Sequence, residues 1–322
     1  MKKAIAFLML LCIAALSACT SDTALGAAEA ENHSVAKKEV FFYNSHRHHL
    51  DPDIPLPDSK RLDWDNTDDP TLKSYQRISD KWTEQYYKTL EKSGFTVKRM
   101  RYGAFAKNED SYLFLTYCGD DYYLTKNGEV MNFHGFSQPK GIDGISRQEA
   151  KAIIPTKSEL LPIDVTPEGL YDATGGQIFM QPEYSFDDEY YDNEPKDPES
   201  ESYTPAYFYI VNGTAVKLDS TAVGVDDLDG DGMSETCFIG NGLTSGVFTF
   251  SIDVYRDGEP VSVGQCYEMN WQIFTFSEHD GKLCLTGNDS DGVHIYDIAI
   301  KDGSVVLSEN GIPLEANYSL YY

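Results

Sequence analysis

The chain has 322 residues and a formal net charge of −26, with 52 acidic side chains against 26 Lys and Arg side chains. This balance argues against a nucleic-acid partner, because the phosphates of DNA and RNA are bound mainly by Lys and Arg. Aromatic residues make up 13% of the chain, more than a disordered acidic tail carries. The composition therefore predicts a folded protein of one large or two modest domains.

The N-terminus has the features of a targeting segment that is removed from the mature protein. Two lysines precede an apolar run from Ala4 to Leu16, which is too short to span a bilayer as a stable helix. The motif Leu16-Ser-Ala-Cys19 follows, and it resembles the lipobox of bacterial lipoproteins. That resemblance implies cleavage before Cys19 and a lipid, such as palmitate-containing diacylglycerol, on its thiol. We therefore expect a signal peptide at residues 1–18 and a small, polar tether at residues 19–39.

A lipid at Cys19 would make the membrane the first partner of this protein. Two acyl chains anchor a protein stably, whereas a single chain binds only marginally. We expect the rest of the chain to face outside the cytoplasm, anchored to the cell membrane or to the outer membrane. Divalent cations are plentiful there, which suits so acidic a protein.

Residues 40–155 are predicted to form an α+β unit, with one long helix on a short antiparallel sheet. Asp69-Pro70 is expected to open the long helix, because Asp caps well and Pro suits the first helical position. A second, short helix is expected to start at the capping box of Ser146 and Glu149. The long helix ends at Ser93-Gly94, and its apolar stripe recurs every three or four residues: Tyr75, Ile78, Trp82, Tyr86 and Leu90.

Three histidines stand near the start of this unit, His46, His48 and His49, close to Asp51 and Asp53. Such a group can bind zinc or copper. These residues precede a proline-rich loop rather than a rigid element, so the sequence favours a solvated patch over a built metal site.

Residues 156–204 are predicted to be an irregular, acidic linker or loop. Acidic side chains crowd the stretch from Glu183 to Glu201, and Pro195 and Pro198 interrupt it. A run of like charges repels itself and stays extended.

Four Asn-Gly or Asp-Gly pairs mark hairpin turns: Asn127-Gly128, Asn212-Gly213, Asp257-Gly258 and Asp302-Gly303. Type I′ turns favour these pairs because both central residues need a positive φ. The last three pairs are 45 residues apart, which is the size of a propeller blade. We therefore expect a mostly β chain, with β-hairpin repeats at residues 205–322 that are propeller-like, or alternatively form a β-sandwich.

One acidic loop falls within these repeats. Asp227, Asp229 and Asp231 alternate, and Glu235 follows four residues later. Together with the backbone oxygen of Met233, these residues can surround Ca²⁺, which takes 6–8 oxygen ligands, whereas Mg²⁺ demands a tighter octahedron. The spacing is not that of an EF-hand, because the twelfth position of the loop is Phe238 instead of Glu.

This D-x-D-x-D-G-x-x-E spacing, followed by an apolar run, resembles the calcium loops of FG-GAP and VCBS repeats. The resemblance implies blades of an integrin-α-like β-propeller, each built from short strands, with Ca²⁺ as a structural ion. Adding the 45-residue period to the loop gives a stretch without alternating acids, so only one unit would keep the site.

Four cysteines remain once the signal peptide is removed and Cys19 is lipidated: Cys118, Cys237, Cys266 and Cys284. The compartment permits disulfides, and four cysteines allow three pairings. Four buried thiols within strands are an equally good interpretation.

Catalytic motifs are missing from the sequence, which has no Gly-x-Ser-x-Gly, P-loop, His-Glu-x-x-His or Gly-x-Gly-x-x-Gly. The sequence therefore favours a surface binding or scaffold protein over an enzyme. Exposed Tyr and Trp side chains, such as Trp271, would contact a cell-surface glycan or a protein ligand. The alternative is an extracytoplasmic hydrolase that acts on polysaccharide or peptide and uses calcium for structure.

Overall fold

The computed structural model describes ten stretches of the chain: residues 40–44, 48–65, 71–100, 103–118, 129–141, 143–186, 201–244, 247–269, 274–289 and 292–315. The predicted signal peptide, the tether and Cys19 lie outside them, as do His46, Asp69-Pro70 and the Asn127-Gly128 turn. Among the described residues, helices are all too short or too polar to cross a membrane.

Antiparallel strands dominate the described residues, which confirms the prediction of a mostly β chain. They are β1 (Phe41–Tyr43), β2 (Leu62–Asp65), β3 (Leu72–Ile78), β4 (Thr96–Met100), β5 (Gly103–Lys107), β6 (Ser111–Cys118), β7 (Glu129–Ser137), β8 (Ile163–Asp164), β9 (Gln177–Phe186), β10 (Glu201–Val211), β11 (Thr214–Leu218), β12 (Val223–Asp226), β13 (Glu235–Thr244), β14 (Val247–Arg256), β15 (Glu259–Met269), β16 (Thr275–His279), β17 (Lys282–Asp289), β18 (Gly292–Lys301), β19 (Ser304–Glu309) and β20 (Ile312–Pro313). The helices are α1 (Asp80–Lys92), α2 (Arg147–Ile153), α3 (Leu170–Thr174) and a 3₁₀ turn at Ser59–Arg61.

These strands form four sheets, each with two edge strands. Sheet I has the order β2-β3-β7-β6-β5-β4, and sheet II has the order β11-β10-β9-β8. Sheet III has the order β1-β12-β13-β14-β15, and sheet IV runs in sequence from β16 to β20. Most neighbours in a sheet are also neighbours in sequence, so local hairpins build most of the pairing.

Helix α1 begins ten residues later than the sequence analysis predicted. Ser79 caps it by accepting the N–H of Trp82 at 3.4 Å. Tyr75 and Ile78, which were placed on the helical stripe, belong instead to β3 and pair with β7. A strand followed directly by a helix can present buried residues at three- and four-residue spacing, so the stripe ran across the boundary between two elements.

The predicted irregular segment contains ordered elements from residue 163 to residue 186. Strand β9 pairs with β10 up to the pair Phe186 and Glu201, so the acidic residues 187–200, outside the described part, connect two neighbouring strands of sheet II. The predicted domain boundary between residues 204 and 205 falls within β10. The apolar run Ile178-Phe-Met180, fully buried, accounts for the strand.

Three of the four predicted turns are described, and all three are confirmed. Asn212, Asp257 and Asp302 have φ of 50–52°, and the glycine after each is also positive. Two further turns, Asp280-Gly281 and Asn310-Gly311, have the same geometry and were missed. The interval from Gly213 to Gly258 and the interval from Gly258 to Gly303 each contain four strands. In each interval the first strand completes one sheet, and the other three strands begin the next sheet.

Apolar clusters join the four sheets in succession. Helix α1 packs on sheet I around Leu90 and Leu113, and Phe105 and Phe114 of sheet I meet Met180 of sheet II. Sheets II and III share one cluster, and sheets III and IV share another. Full burial of one such side chain stabilises the fold by about 1.5–3 kcal/mol.

The N-terminal strand β1 joins sheets III and IV. It pairs with β12 at the edge of sheet III. Beyond it, the side-chain amide of Asn44 donates to the carbonyl of Phe276 at 2.5 Å and accepts the N–H of Phe276 at 2.6 Å. Because Phe276 lies in β16, this pair of bonds continues the backbone pattern from one sheet to the edge of the next.

Two of the four cysteines are free, buried thiols, Cys237 in β13 and Cys284 in β17. Burial raises the pKa of Cys284 to about 11, so its thiolate is scarce at neutral pH. The side chains of Cys118 and Cys266 lie outside the described part.

Candidate metal centre

The acidic loop connects two paired strands of sheet III. Asp226, the last residue of β12, pairs directly with Glu235, the first residue of β13. The loop therefore leaves and re-enters the sheet at one point. Gly230 and Gly232 have φ of 80° and 90°, a conformation that costs glycine little, and they let the backbone curl within eight residues.

The aspartates of the loop hold the curl together. Asp227 Oδ1 accepts the N–H of Gly230 at 2.8 Å and that of Asp231 at 3.1 Å, and its Oδ2 accepts the N–H of Gly232 at 2.8 Å. Asp229 and Asp231 each accept the N–H two residues further on, at 3.1 and 2.8 Å. Such Asx turns are the usual way in which Asp replaces backbone hydrogen bonds in tight loops.

Three of the five predicted ligand residues are brought together. Asp227, Asp229 and Glu235 each offer a carboxylate oxygen, and these oxygens lie within 4.8 Å of one another. Asp231 and Met233 are not part of this group, and the Met233 side chain is exposed. A donor set made only of carboxylate oxygens fits a hard cation such as Ca²⁺, not a metal that prefers sulfur or imidazole.

Arg256 is the residue of this site that sequence reasoning missed. It is the last residue of β14, and its guanidinium lies against Asp229 (Nη2 to Oδ2, 2.8 Å) and Asp231 (Nη1 to Oδ2, 3.0 Å). Its Nε also donates to Glu235 Oε1 at 2.7 Å. The antiparallel register between β13 and β14, in which Thr236 pairs with Tyr255, brings the end of β14 beside the start of β13.

The guanidinium sets the electrostatics of the loop. Its hydrogen bond to Asp229 lowers the pKa of that carboxyl below its usual range, and the hydrogen bonds to Asp229 and Glu235 raise the pKa of Arg256. The loop has four acids against this one cation, which contacts three of them, so acidic side chains outnumber basic ones at the site. Glu235 is fully buried, and Arg256 is its charged partner.

Two hydrogen bonds from backbone N–H groups of the adjacent sheet IV fix the loop and the residue before it. Asp226 Oδ2 accepts the N–H of Leu283 in β17 at 2.9 Å. The carbonyl of Leu228 accepts the N–H of Ile300 in β18 at 3.2 Å. Leu228 itself is buried, and its N–H donates to Glu235 Oε2 at 2.8 Å. The loop is thus attached at both ends to sheet III and by these hydrogen bonds to sheet IV.

The histidine patch does not behave as one solvated group. His48 is buried and packs on Tyr207, Phe136 and His134, with ring centroids 5.6, 5.1 and 6.3 Å away. His49 is exposed, and His46 lies outside the described part. The expectation of a solvated patch is therefore wrong for His48, because β7 and β10 enclose its ring.

A hydrolase would need a pocket that holds two carboxyl groups poised for acid and base catalysis. Among the described carboxyl groups a raised pKa is found at Asp164, where burial is the cause. Gln177 Nε2 and the Thr166 N–H donate to it at 2.7 and 2.9 Å. These bonds belong to a buried polar network that supports β8 and β9, and they do not form a catalytic pair.

Comparison of the chain with models of protein families, with curated proteins and with solved structures found no match.

Proposed function

We propose that this protein is a lipid-anchored, extracytoplasmic protein that binds Ca²⁺ in the Asp227–Glu235 loop and serves as a surface binding or scaffold module. The observation that carries the proposal is the convergence of Asp227, Asp229 and Glu235, whose oxygens lie within 4.8 Å of one another. Asp231 and the backbone oxygen of Met233 complete the proposed ligand set. The loop closes on a strand pair, so a bound ion would hold β12 and β13 together.

The ion is proposed to act on stability rather than on a reaction. Binding to the folded state alone stabilises a protein by about 2.7 kcal/mol at a hundredfold excess of ligand over Kd. Extracellular sites work with a Kd of about 10⁻⁴–10⁻³ M, because calcium is abundant there. The four acids of the loop repel one another, and a bound divalent ion would offset that repulsion.

The propeller-like arrangement is part of the same proposal. Two successive 45-residue intervals contain the same order of strands, and shared apolar clusters join sheet II to sheet III and sheet III to sheet IV. A β-sandwich built from the same hairpins remains the alternative. Either architecture presents loops at the ends of the sheets, where a glycan or a protein ligand would bind.

Two described aromatic residues between Gln181 and Tyr209 are occupied by contacts within the fold. Tyr203 stacks on Phe105 with ring centroids 4.2 Å apart, and Tyr209 is buried, so both belong to the core. Trp271 lies outside the described residues. The alternative of a hydrolase gains no support from Asp164, for the reason given above.

Calcium titration tests the metal site. The full-length chain, purified in detergent and treated with EDTA, is titrated with CaCl₂ in a calorimeter and melted with and without the ion. We expect binding with a Kd of about 10⁻⁴–10⁻³ M and a higher Tm. Asp229→Asn should weaken binding, whereas the matched control Asp280→Asn, in the exposed two-residue turn, should not. A wild-type chain that gives no heat and no change in Tm would remove calcium from the proposal.

Metabolic labelling tests the anchor separately. A bacterial host that expresses the full chain is fed labelled palmitate, and the protein is partitioned in Triton X-114. We expect label and detergent-phase partitioning for the wild type, and loss of both for Cys19→Ser. Label retained by the Cys19→Ser chain would overturn the assignment of the lipidation site.

A further inference from the structure

The chain supplies a cation to the acidic loop from its own sequence. Arg256 contacts three of the four acidic ligands proposed for calcium: Asp229, Asp231 and Glu235. Two of these, Asp229 and Glu235, belong to the group whose oxygens converge. The guanidinium and the proposed ion therefore draw on the same oxygen atoms.

We propose that Arg256 is an internal competitor of calcium, and that the loop alternates between an arginine-bound state and a metal-bound state. This inference rests on the proposed function, since it assumes that the loop binds the ion at all. Asp229 Oδ2 lies 2.8 Å from Nη2, and Glu235 Oε1 lies 2.7 Å from Nε. A divalent ion 2.3–2.6 Å from these oxygens would stand beside the positive guanidinium, and the two would repel each other.

The burial of Glu235 means that the competition affects the stability of the fold as well as calcium binding. Glu235 has no exposed surface, whereas a quarter of the Arg256 side chain is exposed. Without a metal, the buried carboxylate needs Arg256 as its partner, because an unpaired buried charge is strongly destabilising. With a metal, the ion neutralises Glu235, and Arg256 is free to turn toward solvent. Arg256 thus keeps the metal-free fold intact and at the same time lowers the apparent affinity for calcium.

The size of the effect follows from the population of the two states. When only a fraction of the molecules is competent to bind, the apparent Kd rises by the inverse of that fraction. An arginine-bound state that holds about nine molecules in ten would weaken binding about tenfold. Such a site fills only where calcium is abundant, as the predicted location outside the cytoplasm requires.

The test compares Arg256→Gln with Arg99→Gln in the full-length chain. Arg99 is a matched control, because it also bridges two carboxylates, Glu84 and Glu91, at 3.0 and 3.1 Å, and lies on sheet I. Calorimetry with CaCl₂ gives the Kd, and melting in EDTA gives the stability of the metal-free protein. We expect Arg256→Gln to lower the metal-free Tm and to bind calcium about tenfold more tightly, with Arg99→Gln unchanged in Kd.

The outcomes separate the two proposals. If neither the wild type nor Arg256→Gln binds calcium, the proposed function fails. If the wild type binds and Arg256→Gln binds equally or more weakly, calcium binding stands and the competition is overturned. A wild type that does not bind, beside an Arg256→Gln chain that does, would support the competition at the loop and would still overturn the proposed function of the wild-type chain.

A measurement on the wild type covers the case in which Arg256→Gln does not fold. The Nε–Hε signals of arginine side chains are followed by NMR during calcium titration. We expect the Arg256 signal to shift as its bond to Glu235 breaks, while the Arg99 signal stays in place. An Arg256 signal that saturating calcium leaves unmoved would contradict the two-state loop.

Discussion

Two connections in this molecule occupy equivalent places and differ in length. The connection from β12 to β13 is the eight-residue acidic loop, closed by the pair Asp226 and Glu235. The connection from β16 to β17 is the two-residue turn Asp280-Gly281, closed by the pair His279 and Lys282. Both join the first two strands of a set of three, and the pairing of β16 with β17 needs only a two-residue turn. The acidic loop has six residues more than that turn, and its Leu228 packs in the apolar cluster shared by sheets III and IV.

The largest effect is expected at the closing pairs themselves. Glu235→Ala leaves the buried Leu228 N–H without its acceptor and removes the buried carboxylate among the three that Arg256 contacts, whereas Lys282→Ala removes an exposed side chain from the equivalent position. We expect Glu235→Ala to lower the free energy of unfolding by about 3 kcal/mol, near the low end for a broken buried pair, because Arg256 is partly exposed. Lys282→Ala should stay within about 0.5 kcal/mol. Urea denaturation in EDTA measures both, and similar losses would show that the two positions are not distinguished by charge.

The second-largest effect is expected when the acidic loop is replaced by a two-residue turn. Replacing residues 227–234 by Asp-Gly should give a chain that still folds, because the pair Asp226 and Glu235 can be joined as His279 and Lys282 are. Loss of the buried Leu228 side chain should cost about 1.5–3 kcal/mol. Calcium should then leave the Tm unchanged. A chain that fails to fold in calcium-free buffer would show that the long loop has a structural role.

A third and smaller effect separates two glycines at matching turns. Gly258 and Gly303 both have positive φ, but a Cβ at Gly258 would lie 2.9 Å from Val211 Cγ1, whereas Gly303 faces open space. Gly303→Ala should cost about 1 kcal/mol for the strained backbone. Gly258→Ala should cost more, since Val211 must also move. Equal losses in thermal denaturation would mean that the Val211 contact is relieved without cost.

The smallest effect is expected in the pH dependence of the metal-free protein. Arg256 lowers the pKa of Asp229 in the folded state, so this contribution is present above the unfolded pKa of about 3.9 and is lost as pH falls through the folded pKa. In EDTA, the wild-type Tm should decline more steeply below about pH 4 than that of Asp229→Asn. Asp280→Asn should follow the wild type. Parallel curves for all three proteins would show that Asp229 adds nothing.

Sequence alone predicted what depends on short stretches of the chain. The Asp-Gly and Asn-Gly turns follow from the positive φ that both residues tolerate, and the same signal was present at Asp280-Gly281 and Asn310-Gly311. The convergence of Asp227 and Asp229 follows from their alternation around two glycines. These features need no knowledge of distant contacts.

Features that depend on tertiary pairing were not predicted. Helix α1 was started too early because Tyr75 and Ile78 match a helical stripe, whereas their pairing with β7 makes them part of a strand. The β9–β10 pair was missed because its strands flank a long acidic run. Arg256 was missed because its position beside Glu235 depends on the register between β13 and β14, which sequence patterns do not encode.

The short strand β1 has a mechanical consequence if Cys19 carries a lipid. Any pull from the membrane would enter the folded part at Phe41, whose partner in β12 is Val225. Val225 stands only two residues before Asp227, and the far end of the strand is secured by the amide of Asn44. Tension on the tail would thus be transmitted through the β1–β12 pairing to the start of the acidic loop, and an ion bound there would help to keep β12 paired with β13.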